Sequence, residues 1–513
     1  MIPWFKYIFF LCAIAVSLIS SFSYANEQVK KRPNILWIYV EDISPHLGTY
    51  GEPLVNTPIL DELAHNGVKF TNTIMPAPVC SALRSAMMTG VTQTKLGLHN
   101  HHSARTKESE FYLPPNVKTV PELFKAAGYY TFNSGKDDYN FSYNRADLYN
   151  GDYMVHPLYG KSGVKIDWHS RSNKSQPFFG QIQLKGGKHI FSKTFKNKVK
   201  QPIDRSEVVL PPYYPTHPTV TEEWARYLES LQITDSEVGD IIKRLERDKL
   251  LDNTIVFFFA DHGMRFLRHK QFLYEGGIKV PFIVYAPGYK RLIKTGTRAE
   301  LINGLNISAT SLALAGIEIP DYFEGSNLFD ENFHGDKHVI SARDRCDFTI
   351  DRIRSVRTEN YKYIRNYYPE RSAMQPSYRD EWELTKVMKQ LYEHGKLDKV
   401  QAMHFSPTRE IEELYDLRND PHEIVNLATK PDYKTTLEQH RKILDNWVKD
   451  NDMGQFPERE ESLKLMLGIW GDTAINPEFD NLRKQYPKLS GSQYHLKNQH
   501  FKRALNKGNN SNQ

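Results

Sequence analysis

A chain of 513 residues is too long for one simple core, so two domains are the first expectation. Its 40% apolar and 12% aromatic residues are those of a globular protein. A formal charge of +6, from 67 basic against 61 acidic residues, is small for this length and gives no reason to expect nucleic acid as a partner. Three cysteines exclude a disulfide scaffold.

The first residues read as a signal peptide spanning 1–25. Lys6 supplies the positive region, residues 8–19 are almost wholly apolar, and Ser23-Tyr24-Ala25 offers small residues for cleavage. The apolar run is short of the ~20 residues a membrane span needs. The expected product is therefore exported, to the periplasm of a Gram-negative bacterium or beyond, with no membrane span after signal removal. Cys12 leaves with the signal, so only Cys80 and Cys346 remain.

From Asn34 the pattern alternates. Ile35, Leu36, Trp37, Ile38, Tyr39 and Val40 form a continuous apolar run, as in a strand buried on both faces. Residues 57–66 place Ile59, Leu60, Leu63 and Ala64 on one helical face. After Pro78 the spacing predicts a helix that starts near Cys80 and closes at Gly90. Cys80 would sit where free N–H groups and the helix dipole favour bound anions and an ionised thiol. Arg84, one turn on, reaches the same side. Two readings are open for this pair: a buried cysteine beside a salt-bridged arginine, or chemistry on an anionic group. Further on, 119–127 reads as a helix closed by Gly128 and 129–133 as a strand. Residues 178–184, 255–260 and 280–286 are also predicted strands. A long helix is predicted over 221–251, with Trp224, Leu228, Leu231, Val238, Ile242 and Leu245 at helical spacing. The basic run 185–200 is either a solvated loop or a rim that attracts a polyanion. This alternation predicts an α/β fold, a large mixed and mostly parallel sheet sandwiched by helices.

Polar residues directly follow those strands: Glu41-Asp42, Lys136-Asp137-Asp138, Lys188-His189 and Asp261-His262. Open α/β sheets bind ligands outside the carboxyl ends of their strands. Oxygen donors from Glu41, Asp42 and Asp261 suit a hard cation such as Ca²⁺ or Mg²⁺. Arg84, Lys136 and Lys270 would surround a tetrahedral oxyanion. A metal, several cations and a nucleophile at a helix end fit group transfer from a sulfate or phosphate ester.

Several stretches together carry a resemblance: Cys80-Ser81-Ala82-Leu83-Arg84 with Thr89-Gly90, Arg32-Pro33-Asn34-Ile35, Glu41-Asp42, Gly135-Lys136, the run FFFADHG at 257–263 and YEGGIKVP at 274–281. Glu413-Leu414-Tyr415-Asp416-Leu417, Asp420-Pro421-His422-Glu423 and Asn426-Leu427 extend it to about residue 450. The chain resembles the formylglycine-dependent sulfatases of the alkaline-phosphatase-like superfamily, including bacterial polysaccharide sulfatases and sulfamidase-like members. The resemblance implies that a formylglycine-generating maturation enzyme oxidises Cys80 to an aldehyde (3-oxoalanine). The hydrated aldehyde attacks sulfur, and its second hydroxyl serves the later elimination of sulfate. It also implies one Ca²⁺ per chain, held by Asp42, Asp261, His262 and the modified Cys80, with Glu41 at a further ligand position. Arg84 and Lys136 match positions that steady the nucleophile, and Lys270 matches a sulfate-binding lysine. His189 is the histidine expected to protonate the leaving group or position the sulfate.

The chain departs from the family pattern at five places, one being that Lys188-His189 lacks the usual neighbouring Pro-His. Glu41 stands for the more usual Asp, His262 for Asn and Ala82 for Pro, while Asp138 occupies the place where a histidine is often found. For substrate binding, the loop 96–105 offers His99 and His101, and Arg343 and Arg345 suit sulfates or carboxylates. The aromatic run 361–368 offers faces for sugar rings or ordinary strand residues. The expected organisation is a catalytic α/β domain over 32–350, a smaller C-terminal α+β subdomain over 351–475 and a polar tail over 476–513. The expected substrate is a sulfated carbohydrate of the ulvan, carrageenan or glycosaminoglycan type. The alternatives are a phosphodiesterase or phosphonate hydrolase of the same superfamily and a non-catalytic binder of sulfated glycans.

Overall fold

In the computed structural model the apolar run after Pro33 becomes β1 (Asn34–Val40), and every one of its residues is buried. The described residues are 32–104, 107–150 and 166–487, so the expected signal peptide and the end of the expected tail lie outside them. The other strands of the main sheet are β2 (Val68–Ile74), β3 (Tyr130–Ser134), β4 (Phe178–Leu184), β5 (Thr254–Ala260), β6 (Lys279–Tyr285), β7 (Gly296–Arg298) and β8 (Ile302–Asn303). Their order is β3-β4-β1-β5-β6-β2-β7, with β8 also on β2. β3, β4, β1 and β5 are mutually parallel, β6 runs antiparallel to both neighbours, and β2 pairs with β7 and β8 in parallel.

This mixed, mostly parallel sheet is flanked by helices, as predicted. α1 (Pro58–His65) packs on the long α4 (Pro218–Arg247), while α2 (Cys80–Thr89), α3 (Val120–Ala126) and α5 (Asn306–Leu314) pack on one another. The long helix buries the six apolar positions that spacing picked out. At the sheet centre Trp37 meets Phe179 and Phe259 edge-on at 5.2 and 5.4 Å and donates its indole N–H to Ser311 on α5. Full burial of one such side chain contributes about 1.5–3 kcal/mol relative to exposure. That explains why a run without polar alternation settles at the middle of the sheet.

The second sheet is antiparallel, with order β12-β11-β10-β9, built from β9 (Val339–Arg343), β10 (Ile353–Arg357), β11 (Tyr361–Asn366) and β12 (Glu412–Asp416). One face packs on α6 (Lys434–Asn451) through Ile340, Val356, Tyr363, Leu414, Leu437 and Leu444. Another cluster joins it to the main body through Ile74, Ile278, Val339, Ile353 and Ile364. β9 begins before the expected boundary at 350. Two further helices follow, α7 (Glu460–Trp470) and α8 (Pro477–Gln485). Within the expected polar tail, α8 buries Phe479 and Leu482 against Phe348 and Leu465, because its two apolar residues three apart share one face.

Candidate active site

The carboxyl ends of β1, β3, β4 and β5 deliver their polar residues to the start of α2. This helix is buried along its whole length and closes at Gly90, whose φ of 69° favours glycine. A Cβ there would lie 2.3 Å from Phe323. Cys80 occupies the first turn, 3% exposed. Its Sγ lies 3.1 Å from His262 Nε2 and 3.4 Å from Lys270 Nζ. Burial alone would raise the thiol, but Lys136, Lys270 and Lys188 outweigh it and bring it down to about 7. Cys80 and Cys346 are both free and buried.

Arg84 stacks on the Tyr39 ring at 4.3 Å and reaches Glu41 at 3.3 Å, Asp261 at 3.4 Å and Gln183 at 2.8 Å. Lys136 Nζ sits 2.9 Å from Glu41 and 2.8 Å from Asp138, and Lys270 Nζ 2.8 Å from Asp42. Burial would raise the Glu41 carboxyl, yet Lys136, Lys188 and Arg84 hold it well below the usual range. Asp42 is likewise held down, against burial, by Lys188 and Lys270. The loop bearing Lys270 is tied to the turn before α2, since Gln271 N–H donates to the Pro78 carbonyl at 2.8 Å.

Asp42, Cys80, Asp261 and His262 each offer one donor atom, all within 4.8 Å of one another. His262 donates from Nδ1 to the Gly263 carbonyl at 2.9 Å, a contact only a protonated Nδ1 can make, and this orients Nε2 toward the group. Backbone N–H groups of Asp42 and His262 both donate to one oxygen of Asp261 at 3.0 Å, fixing that carboxylate. Two carboxylates and an oriented imidazole are donors that fit a divalent cation. Glu41 is not in this group. Its oxygens are held by Lys136, Arg84 and Lys188.

His189 is the main departure from expectation. Its Nε2 faces Glu237 of α4 at 3.0 Å, and the residue beside it, Lys188, reaches Glu41 at 2.6 Å. The cause lies in the backbone. After β4 the chain folds as a tight turn of 3₁₀ helix, with Gly186 at φ 51° and a would-be Cβ 2.1 Å from the Glu41 carbonyl. Only glycine allows that approach, and it points residue 188 at the site and 189 at α4. The Gly186-Gly187 pair is the sequence signal for this switch.

The expected substrate contacts are also placed differently. Arg343 pairs with Asp351 at 2.7 Å, and Arg345 makes two 2.7 Å contacts with Glu458 while donating to the carbonyls of His101 and Asp347. His101 holds Ser81 Oγ at 2.6 Å through Nδ1. His99 lines a cavity of about 350 Å³ with Arg345, Arg352 and Tyr368. Of these side chains, His101 braces the residue that follows Cys80. The part-open histidine of the loop is His102, whose side chain is 31% exposed and lies between Asp138 and Asp347.

A profile described as Sulfatase matches residues 33–317, more than half of the chain. The chain belongs to the sulfatase family. A second profile, described as N-sulphoglucosamine sulphohydrolase, C-terminal, matches residues 262–403. An ulvan-active sulfatase of Formosa agariphila is 30% identical over 493 residues, which cover 88% of this sulfatase and 80% of that protein. Among solved structures, a 2-O GAG sulfatase superposes with a TM-score of 0.59 at 20% identity, over 82% of this chain and 92% of that one. The phosphonate monoester hydrolase of Agrobacterium radiobacter does so with 0.58 at 15% identity, over 84% and 99%. At these identities the structures speak to the fold alone. Family membership makes the protein a sulfuric ester hydrolase. No helix among the described residues is long and apolar enough to cross a membrane.

Proposed function

We propose that this sulfatase removes sulfate esters from a sulfated polysaccharide or its oligosaccharides, with ulvan the first candidate, using a formylglycine made from Cys80 and a bound Ca²⁺. The observation that carries the reading is the ring of Arg84, Lys136, Lys188 and Lys270 around a buried residue at a helix N-terminus, beside an oriented donor group. The relative named as ulvan-active supports the substrate class.

Asp42, Asp261, His262 and residue 80 would hold the cation, whose charge would draw electron density from the sulfate. A formylglycine at position 80 would supply, as its hydrate, the oxygen nucleophile that a thiol lacks. Lys136 and Lys270, each within hydrogen-bond reach of a carboxylate, keep their charge against burial. They and Lys188 orient the anionic sulfate by charge, a preorganised arrangement that needs no rearrangement as negative charge shifts during reaction. Arg84, clamped by Glu41, Asp261 and Gln183, fixes the first turn of α2. At 3% exposure Cys80 is out of reach of another enzyme in the folded chain. Maturation therefore acts before folding closes the site, which suits a chain exported to the periplasm or medium.

Mass spectrometry of the peptide containing Cys80, after co-expression with a maturation enzyme, is expected to show the aldehyde. Sulfate release is then measured on defined ulvan, carrageenan and glycosaminoglycan oligosaccharides, with an aryl phosphate diester as control. Active enzyme carrying only thiol, or a clear preference for the diester, would overturn the reading.

A further inference from the structure

Three residues from separate loops meet beside the cationic ring: His102, Asp138 and Asp347. All three hold positive φ, at 59°, 57° and 51°, a region uncommon for side-chain-bearing residues, though Asp and His enter it more readily than most. Among the described residues only eight non-glycine positions do so. Strain of this kind persists where the surroundings enforce it, and it clusters at working sites. Here it is enforced from several directions. His102 N–H donates to Ser81 Oγ at 3.2 Å, next to Cys80, and its ring stacks on His101 at 3.6 Å. Arg345 holds the Asp347 carbonyl at 2.6 Å.

The ring is gripped unequally. Nδ1 faces Asp347 Oδ1 at 3.4 Å and Nε2 faces Asp138 Oδ1 at 3.3 Å. Asp347 is buried and held well below the usual carboxylate range by His101 and His102, against burial. Asp138 already holds Lys136 through its other oxygen, and Lys136 in turn holds Glu41. The Nε2 edge is therefore the one turned toward the cationic ring around Cys80, and the Nδ1 edge is turned toward the wall. With carboxylate oxygens at both edges, the imidazolium form satisfies both contacts. His189, the histidine expected to protonate the leaving group, is turned to Glu237 instead.

Resting on the sulfatase reading, we propose that His102 is the catalytic residue that protonates the departing sugar oxygen, and that Asp347 and Asp138 are its positioning residues. The sulfur–oxygen bond to the sugar breaks and its electron pair stays on the sugar oxygen. That oxygen takes the Nε2 proton of His102, while sulfur passes to the hydrate oxygen at position 80, whose own O–H proton leaves to water. The ring, left neutral, regains a proton from water.

A proton donor matters for a poor leaving group and little for a good one, and general acids of this kind contribute about 10²–10⁴-fold. The test is His102→Gln, assayed on a sugar sulfate and on 4-nitrophenyl sulfate, with formylglycine content and melting temperature matched to wild type. The expected result is a loss of at least about 10²-fold in kcat/KM on the sugar sulfate and less than about tenfold on the aryl sulfate. Asp347→Asn, which keeps the volume of the positioning group, is expected to show the same selectivity with a loss of about 10–100-fold. Equal losses on both substrates, or no loss, in either variant that folds would overturn the proposal. Wild-type enzyme with full formylglycine and no sulfate release on any substrate would instead overturn the sulfatase reading itself.

Discussion

Two buried clusters of charge lie close together in this molecule, and they do opposite things. Behind the second sheet, Arg354 is fully buried and held by Asp344 at 2.8 Å and Asp452 at 2.7 Å. Arg343 and Arg409 share Asp351 in the same way, and Arg345 is saturated by Glu458. Arg354 and Arg345 meet a carboxylate edge to edge, the geometry that arginine favours, while Arg343 and Arg409 each make one contact to Asp351. Around Cys80 the cations are mostly lysines: Lys188 and Lys270 contact one carboxylate each, and Lys136 bridges Glu41 and Asp138. Burial of charge is common to both clusters, so it does not mark the site. What marks it is arrangement, cations set around a nucleophile position at a helix start. Arg343 and Arg345 illustrate the point, since as residue types they suit sulfate and as placed residues they hold the fold.

The largest expected effect that would break this comparison is at Asp261. Asp261→Ala should lower kcat by more than about 10³-fold, since it removes a cation donor and a partner of Arg84 together. It should also abolish any Ca²⁺-dependent rise in melting temperature. A variant that keeps that rise would separate Asp261 from the donor group. On the closed side, Arg354→Met should cost about 3–5 kcal/mol of stability, because Asp344 loses its partner and Asp452 keeps only Arg352. Chemical denaturation would measure it, and kcat/KM of the folded fraction should stay at the wild-type value.

Lys188 and His189 sharpen the boundary between the clusters. Lys188→Ala should lower kcat by about 10²-fold. His189→Ala should leave kcat unchanged and cost about 1 kcal/mol through the contact with Glu237. The reverse outcome would put the histidine back in the site. The smallest effect is a pH dependence. Arg343 and Arg409 hold the Asp351 carboxyl below its usual value against burial. A depressed folded pKa means stabilisation that is complete above the ordinary range near 4 and is lost as pH falls through the folded value. Asp351→Asn should therefore be less stable than wild type at pH 7, and the gap should narrow below about pH 4. A constant gap in unfolding midpoints from pH 7 to 3 would count against this assignment.

The strands that position the site were legible because each is short, apolar and followed by a polar pair. β2, with Lys69, Thr71 and Asn72 along it, lacks that contrast and is recognisable only through its pairing with β6 and β7. Of the donor group, Asp42 and Asp261 were legible at strand ends, Cys80 and His262 came from the family resemblance, and Glu41, also expected, lies outside it. The division of labour between Lys188 and His189 was not legible, because the Gly186-Gly187 pair signals a tight turn, while the direction of that turn depends on a close approach to the backbone of Glu41.

By itself the sequence determined the alternating α/β frame, the helix that begins at Cys80, and the delivery of acids and bases to one sheet edge. Only the tertiary structure decided which of those groups face one another. It turned His189 to α4 and Lys188 to Glu41, closed Arg343 and Arg345 in internal pairs, and set His102 between Asp138 and Asp347. The physical reason is the range of the forces involved. Periodicity and capping act within a few residues, whereas charge pairing and close backbone approach depend on which distant loops the fold brings within a few ångströms.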